Sequence, residues 1–498
     1  MLPNNFAGVA TLTSAAILGL LTLKYNDRAV FTERRNDIPN ASGLPLFGIM
    51  FEQVAKKERF LDFFMEKMSE TDGMTMYASA LGLPPRIMTI DPRNVEHVLK
   101  GKELTNDLFG HGIFAANGKQ WYYQRKTASV IFNTNNFRNF FTGSVFVKEL
   151  NVMSERILDK AFERGEPIDF QNMIYKFTLE TFVYLGFGKQ LNALYNNITV
   201  PFATSFDVCQ TNCFQRIVSP VGRLREALAP ILRPGEMTSK EHIKVIDDFA
   251  YNLIQERKEQ LAQGHKYKDL LSQFMVARNP EGEELSDTEL RDAVLNFIIA
   301  GRDTTAQTLT WTIYYLLMHP RVEAKLISEI NEKITDEVEK DPPALYETIK
   351  KMAYSHAVFY EVLRLEPVVP NSSKTALEDD ILPDGTHVRK GDQVNWSSYA
   401  MGRSEKIWGE DAKSFKPERW IQNNGDLRRE SPSKWPAFNG GPRICLGQNL
   451  ATLEGLVALV ILLKRYKFAL VPGQEIVYVM SLTHPMKNGL KVFVEKRN

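Results

Sequence analysis

Phe438-Asn439-Gly440-Gly441-Pro442-Arg443-Ile444-Cys445-Leu446-Gly447 is a stretch that glycine and proline keep out of regular helix or strand. It presents a single cysteine just ahead of a strongly apolar helical run, Leu450 to Lys464. A thiolate in that position gains from the positive end of the helix and from nearby backbone N–H groups, both of which lower its pKa. The loop therefore reads as a mount for a reactive or ligating sulfur.

Upstream, Ser286-Asp287-Thr288-Glu289 has the form of a capping box, and nothing interrupts helical spacing until His319-Pro320. Some thirty residues at about 1.5 Å each span on the order of 45 Å, enough to cross a domain, so this helix is expected at the centre. Midway along it stands Ala300-Gly301-Arg302-Asp303-Thr304-Thr305, a glycine followed by an acid and two hydroxyls. Glycine inside a helix costs about 1 kcal/mol relative to alanine, so Gly301 needs a reason, and a flat group lying against it is one.

The cysteine loop resembles the haem-binding loop of the cytochromes P450, Phe-x-x-Gly-x-Arg-x-Cys-x-Gly, at every fixed position from Phe438 to Gly447. The resemblance implies that Cys445 is the axial ligand to the iron of haem b, that Arg443 pairs with a haem propionate, and that Phe438 and Gly301 lie against the cofactor. Trp121-Tyr122-Tyr123-Gln124-Arg125 is similar to the family's Trp-x-x-x-Arg, which assigns Trp121 and Arg125 to a propionate, a charge-assisted pairing that suits arginine. Glu361-Val362-Leu363-Arg364 resembles the Glu-x-x-Arg motif, and Pro417-Glu418-Arg419-Trp420 resembles Pro-Glu-Arg-Phe with Trp in the last place. Together they imply a structural network of Glu361, Arg364 and Arg419 behind the cysteine loop. Ala300 to Thr305 resembles the oxygen-activation segment, with Thr304 as the alcohol that holds water or donates to bound oxygen and Asp303 as the acid that feeds protons inward. The acid and alcohol together favour monooxygenation over hydroperoxide rearrangement. The resemblance further implies a mainly α fold with a small β-rich part and a long central distal helix, using haem b, O2 as co-substrate and NADPH through a separate reductase.

Within the family, Asn296 to Ala306, Ser373-Lys374 with Leu382 to Thr386, and Tyr399 to Arg403 with Trp408 to Asp411 are similar to the fatty-acid ω-hydroxylases and alkane hydroxylases of plants and fungi. A fatty acid or alkane hydroxylated at or near its end is the substrate this implies; a terpenoid or sterol is the alternative, and a non-catalytic haem protein a remote one. Ala300 stands where animal fatty-acid ω-hydroxylases often carry a haem-esterifying glutamate, so no covalent haem link is expected. The family's substrate-contacting segments fall on Phe109, Ile113, Phe114, Phe297, Ile298, Val368, Val369, Ser481, Leu482 and Thr483, mostly apolar, as an acyl chain requires.

The 498 residues are 44% hydrophobic and 24% charged, as in an ordinary globular protein, and the net charge of +1 gives no global field to attract nucleic acid. Three cysteines are too few for a disulfide framework; Cys209 and Cys213, four apart on a helical stretch, read as small buried hydrophobes. Phe6 to Leu23 carries no charge and is close to the roughly 20 residues that cross a bilayer, so a membrane anchor with its basic flank is expected over 1–35 and a single catalytic domain over 36–498. Lys24, Arg28, Arg34 and Arg35 place the body on the cytosolic side, by resemblance at the endoplasmic reticulum. Ile38 to Gly48 reads as a stiff linker, Phe51 to Ser69, Asp247 to Ala262 and Ala344 to Leu365 as helices. Hairpins are expected at Ile381 to Thr386 and at Asn488-Gly489, the latter joining Val477–Leu482 to Leu490–Val494. Only 53 residues follow Cys445, too few for a fused flavin domain, so electrons are expected from a separate membrane-anchored reductase docked on the cysteine side.

Overall fold

The computed structural model describes residues 4–71, 73–99, 110–132, 136–479 and 481–497. Helix α1 (Asn4–Lys24) leaves apolar side chains such as Leu12, Leu20 and Leu23 exposed, and its Thr13 and Thr22 hydroxyls donate to the Val9 and Leu18 carbonyls, each at 2.8 Å. Among the described residues no helix is long and apolar enough to cross a membrane. The chain joins the body at once: Leu46 N–H donates to the Tyr25 carbonyl, Ala29 is buried, and Arg35 is buried against Asp37 and Asp392. The stretch 38–48 is not a linker, because its backbone is used: Tyr77 N–H donates to the Pro39 carbonyl and Ala41 N–H to the Tyr77 carbonyl, both at 2.8 Å. The single helix expected over Phe51–Ser69 is two, α2 (Met50–Ala55) and α3 (Phe60–Glu70), because Lys56 and Arg59 leave helical backbone geometry. The break turns Phe60, Phe63 and Phe64 into the core and leaves Phe51 outside.

Those phenylalanines pack on a four-stranded sheet of order β1 (Thr75–Ala78), β2 (Arg86–Thr89), β7 (Gln393–Ser397), β4 (Asn371–Thr375), with β2 and β7 parallel and the outer pairs antiparallel. A second sheet joins β3 (Ile168–Asp169), β9 (Lys491–Lys496) and β8 (Tyr466–Leu470). The hairpin expected at Ile381–Thr386 pairs β5 (Asp380–Ile381) with β6 (His387–Val388). The one centred on Asn488-Gly489 is different from the expectation. Tyr478 bridges Met486 around an earlier turn, and β9 leaves to pair with β8 and β3. Gly489 (φ 69°) is where the chain swings away, and a Cβ there would strike the Asp169 carboxylate.

The larger part is helical: α4 (Gly118–Ser129), α5 (Phe170–Phe187), α6 (Pro201–Val218), α7 (Gly222–Leu232), α8 (Ser239–Ala262) and α9 (Leu270–Val276) lead to α10 (Asp287–Met318). Helix α8 begins earlier than its apolar spacing suggests, on a capping box formed by Thr238 and Glu241. Helix α10 is the long central one, roughly 48 Å at 1.5 Å per residue, opened by Ser286 and Glu289 and closed at His319 before Pro320 starts the next helix. The helix expected over Ala344–Leu365 is split into α11 (Pro342–Ile349) and α12 (Ala353–Leu365) by a turn whose Met352 is fully buried. Helix α13 (Gln448–Arg465) follows the cysteine loop and is buried from Thr452 to Leu463, as suits a helix apolar on nearly every side. Helices α5, α10, α12 and α13 form the main core.

Candidate active site around Cys445

A short turn at Pro436–Phe438 and left-handed backbone at Asn439 (φ 58°) and Gly441 (φ 59°) fold the loop back so that Cys445 N–H donates to the Phe438 carbonyl at 2.8 Å. A Cβ on Gly440 would come within 2.9 Å of both Leu99 and Pro432, so the loop lies tight against its neighbours. The Cys445 side chain is nonetheless accessible, so it faces a space inside the protein. Burial pushes its thiol pKa up; the Gly447 N–H and the Arg125 charge pull the other way and lose. The lowered pKa that the helix end suggested is thus outweighed by enclosure, and a bound cation is what would complete a thiolate here.

Trp121 and Arg125 on α4 converge on the same loop. Arg125 donates to the Ile444 carbonyl at 2.8 Å and lies 5.8 Å from the Trp121 ring centre; Arg443 lies 4.6 Å from that ring and donates to the Ile113 and Ala116 carbonyls and to Asn117. Burial lowers the Arg125 pKa, and among the described residues no carboxylate faces it. A cation held beside Cys445 without an acid is a fit for an anionic group on whatever fills the space.

Helix α10 is buried from Asp292 to Ile313 except at Ala300, Gly301 and Thr304. Spaced one and four residues apart, these three share one helix face, open toward the interior. An enclosed thiol, an open helix face and an unpaired Arg125 together fit haem b, which Cys445 would ligate and Arg125, Arg443 and Trp121 would hold at its edge. The glycine itself has another cause: a Cβ on Gly301 would meet the Phe182 ring of α5 at 1.8 Å, so its bare side admits a neighbouring helix, not a flat cofactor.

Thr304 and Asp303 point apart. Thr304 Oγ1 donates back to the Ala300 carbonyl at 2.8 Å, which leaves its lone pairs for another donor. The buried Asp303 carboxylate accepts from Arg302 at 2.8 Å and from Gln210 of α6 at 2.6 Å. Burial raises its pKa to about 6 against the pull of Arg302. Arg302 also binds Asp207, whose side chain is half exposed, so a polar line runs from the surface to the middle of α10. One residue on, Thr305 shares the buried Glu454 carboxyl of α13 with Thr181, whose hydroxyl donates to it at 2.5 Å.

Behind the loop, Arg364 donates to both oxygens of Glu361 at 2.7 and 2.8 Å and to the carbonyls of Gly402, Ala412 and Ser414. Arg419 Nε at 2.9 Å, Trp420 Nε1 at 2.9 Å and Lys416 N–H at 2.8 Å complete the Glu361 shell. The structure thus brings Glu361, Arg364 and Arg419 into one enclosed network.

Among the residues expected to line a substrate pocket, Phe114 and Val369 are exposed and Leu482 is half-buried. Ile113, Ile298, Val368 and Ser481 are buried, Phe297 packs tilted against Phe274 of α9 with ring centres 5.8 Å apart, and Thr483 accepts from Gln307 of α10 at 2.8 Å. Phe109 lies outside the described residues. Sequence reasoning passed over a second buried charged cluster. Glu366 accepts from Arg403 at 2.6 Å and Tyr315 at 2.7 Å, and is hydrogen-bonded to His484 at 2.8 Å. Burial would raise the Glu366 pKa, but Arg403 and His484 bring it down to about 2. It also passed over Asp292 and Asn296, which accept from the His111 and Phe114 N–H groups and fasten the loop before α4 to α10. Their polarity inside an otherwise apolar helix was the signal that could have found them.

The sequence profile of the cytochrome P450 family matches residues 38–491. Cytochrome P450 704B1 of Arabidopsis thaliana is 36% identical over 91% of this chain and 94% of its own length. Cytochrome P450 86B1 of the same plant is 37% identical over 82% of this chain and 77% of its own. Cytochrome P450 monooxygenase cyp1 of Mycosarcoma maydis is 33% identical over 95% of this chain and 77% of its own.

Proposed function

We infer that this chain, which belongs to the cytochrome P450 family and is a haem-thiolate monooxygenase, hydroxylates a long acyl or alkyl chain at or near its terminal carbon. Haem b supplies oxygen activation, with O2 as co-substrate and electrons from NADPH through a reductase. The observation that carries the reading is the face of α10 at Ala300 and Thr304, open within an otherwise buried stretch of the helix. The accessible members of the surrounding set, Phe114, Val369 and Leu482, are all apolar. Such a surface offers an alkyl chain burial and offers a polar substrate no partner. Thr304 keeps acceptor capacity at that face, and Asp303, whose burial lifts its carboxyl pKa to about 6, is the acid this reading assigns to proton supply.

The electron donor of this reading is a membrane-anchored NADPH-dependent flavoprotein reductase that docks on the cysteine side. Exposed Lys119 and Lys126 on α4, with Arg428 and Arg429 ahead of the cysteine loop, offer an acidic partner a cationic face there. Helix α1 is the membrane anchor, with the body on the cytosolic face of the endoplasmic reticulum. Its threonine hydroxyls are satisfied within the helix, which lowers the cost of entering lipid. Helix α7 adds a second contact, since Val221, Leu224, Leu228 and Ile231 are exposed at helical spacing.

The test is incubation of the haem-loaded protein with reductase, NADPH and a chain-length series of fatty acids and alkanes, with products located by mass spectrometry. Terminal or near-terminal alcohols are expected. No product from any acyl or alkyl chain, beside turnover of a sterol or terpenoid, would overturn the reading.

A further inference from the structure

Gln307 is buried in α10, three residues past Thr304, and its amide bonds outside its own helix. Nε2 donates to the Tyr175 hydroxyl of α5 and to Thr483 Oγ1, each at 2.8 Å, and Oε1 accepts from the His484 N–H at 2.8 Å. Two donors and one acceptor met in this way leave the amide a single orientation. The threonines around it behave differently: Thr304, Thr308, Thr310 and Thr312 donate back to carbonyls of α10 itself. One turn on, Trp311 Nε1 donates to the His484 carbonyl at 2.9 Å, and its ring stacks on the imidazole with centres 5.4 Å apart. Both backbone groups of His484 are therefore held by α10, while its ring is tied to Glu366.

Helical spacing places this clamp relative to the open positions. Seven residues are about 20° short of two turns, so Gln307 projects along the line of Ala300, and Trp311 along that of Thr304. Ala300 and Thr304 are open within a buried stretch of α10, whereas Gln307 and Trp311, about 10 Å further along the same stripe, are covered by the turn at 481–484. That turn is the tip of a hairpin whose arms meet at Tyr478 and Met486, with the Val479 N–H donating to the Pro485 carbonyl at 2.9 Å. Leu482 stands half-buried at its end, between the buried Ser481 and Thr483. The tip is thus the wall that ends the open stripe, and Gln307 is the side chain that fixes it. The base of the hairpin has a separate clamp of the same kind: Gln171 of α5 donates to the Met486 carbonyl at 2.9 Å and accepts from the Met486 N–H at 2.8 Å.

We propose that Gln307 is a positioning residue that determines which carbon of the substrate is oxidised, by holding the hairpin tip as a rigid end wall. The inference rests on the acyl or alkyl reading of the function and adds what sets the point of attack. Internal C–H bonds of an alkyl chain are weaker than those of its terminal methyl, so attack at the end needs a wall that does not yield. A tip free to shift lets the chain slide further and presents an internal carbon instead. Gln307 acts through the tip and takes no part in the chemistry at Cys445 or Thr304.

The experiment compares wild type, Gln307→Met and Gln171→Met, each loaded with haem. Methionine keeps the length of glutamine and removes its hydrogen bonds, so each variant loses one clamp on the same hairpin, at the tip or at the base. With reductase and NADPH, products from hexadecanoic acid and hexadecane are located by mass spectrometry; amide hydrogen exchange over 481–486 is followed separately, without turnover. Gln307→Met is expected to lower the ratio of terminal to internal alcohols about 10-fold, the scale of one or two neutral hydrogen bonds, with the carbon monoxide spectrum unchanged. Exchange at the His484 amide should quicken in the same variant. Gln171→Met should quicken exchange at Met486 and keep the product ratio. A ratio unchanged in Gln307→Met, or one that falls equally in both variants, overturns the proposal, as does unchanged exchange at His484. If Gln307→Met takes up no haem, Gln307→Asn, one methylene shorter, is read in its place by the same criteria. If wild type forms alcohols whose position does not depend on Gln307, the acyl or alkyl reading stands and this inference falls. If wild type converts neither chain, that reading falls and takes this inference with it.

Discussion

Glu361 on α12 and Glu454 on α13 are both deeply buried carboxyls, and their surroundings could hardly differ more. Glu361 meets two guanidinium groups, an indole N–H and a backbone N–H. Glu454 meets the hydroxyls of Thr181 and Thr305 and, among the described residues, no cation, and burial lifts its pKa to about 8. The first region spends charge to lock segments distant in sequence together. The second joins α13, α5 and α10 through a neutral acid that can donate as well as accept. Asp303 stands between these extremes, with one guanidinium shared with Asp207 and one amide.

The comparison breaks hardest at Glu361. Glu361→Gln leaves Arg364 and Arg419 without their buried counter-charge, a loss of about 3–5 kcal/mol. Chemical denaturation should show it, together with poor haem incorporation; a variant with wild-type stability would remove the scaffold role. Asp303→Asn is expected to leave the fold and the carbon monoxide spectrum intact while turnover falls about 100- to 10,000-fold, as for loss of a proton-transfer group. Unchanged turnover would make the Asp207–Arg302–Asp303 line purely structural. Thr304→Ala should keep NADPH consumption but divert it to peroxide, read as the ratio of product to NADPH; unaltered coupling would count against a role at the oxygen. The smallest effect belongs to Glu454→Gln measured below pH 4.5, under about 1 kcal/mol, because there a neutral amide replaces an acid that is neutral in the folded and unfolded chain alike.

Glu454 also carries a signature in pH. Its folded pKa of about 8 lies above the ordinary 4.5, so the folded state holds a proton that the unfolded state has lost between those values. Its contribution is fully present below pH 4.5 and is lost as pH rises toward 8, at up to about 1.4 kcal/mol per pH unit. Glu454→Gln should flatten that part of the stability profile. An unchanged slope would show that Glu454 ionises without penalty.

Motifs whose geometry is local were readable from the sequence alone. The cysteine loop, the capping box at Ser286 and the Glu361–Arg364 pair each need only a few adjacent residues, and the structure places them as those residues dictate. Helix breaks at Lys56 and Lys350 were not readable, because apolar spacing persists across both and only burial of Phe60 and Met352 from the far side forces the turns. The last hairpin misled for a related reason: a good turn signal at Asn488-Gly489 does not say which strand β9 will join, and β8 competes for it. Gly301 invited a cofactor explanation because Phe182, its actual neighbour, is remote in sequence. The Glu366, Arg403 and His484 cluster draws on three separate segments that no local pattern joins.

The join at Tyr25 has a mechanical consequence. The Leu46 N–H holds the Tyr25 carbonyl one residue beyond the end of α1, and the Lys24 and Arg28 cations flank the Tyr25 ring at 5.4 and 5.1 Å. With no slack between them, α1 acts on the body as a lever rather than a tether. At about 31 Å long, a tilt of roughly 10° carries its far end about 5 Å sideways, and the catalytic body must turn by the same angle. If α1 is held in a bilayer, as proposed above, a change in bilayer thickness would turn the body as well as shift its depth.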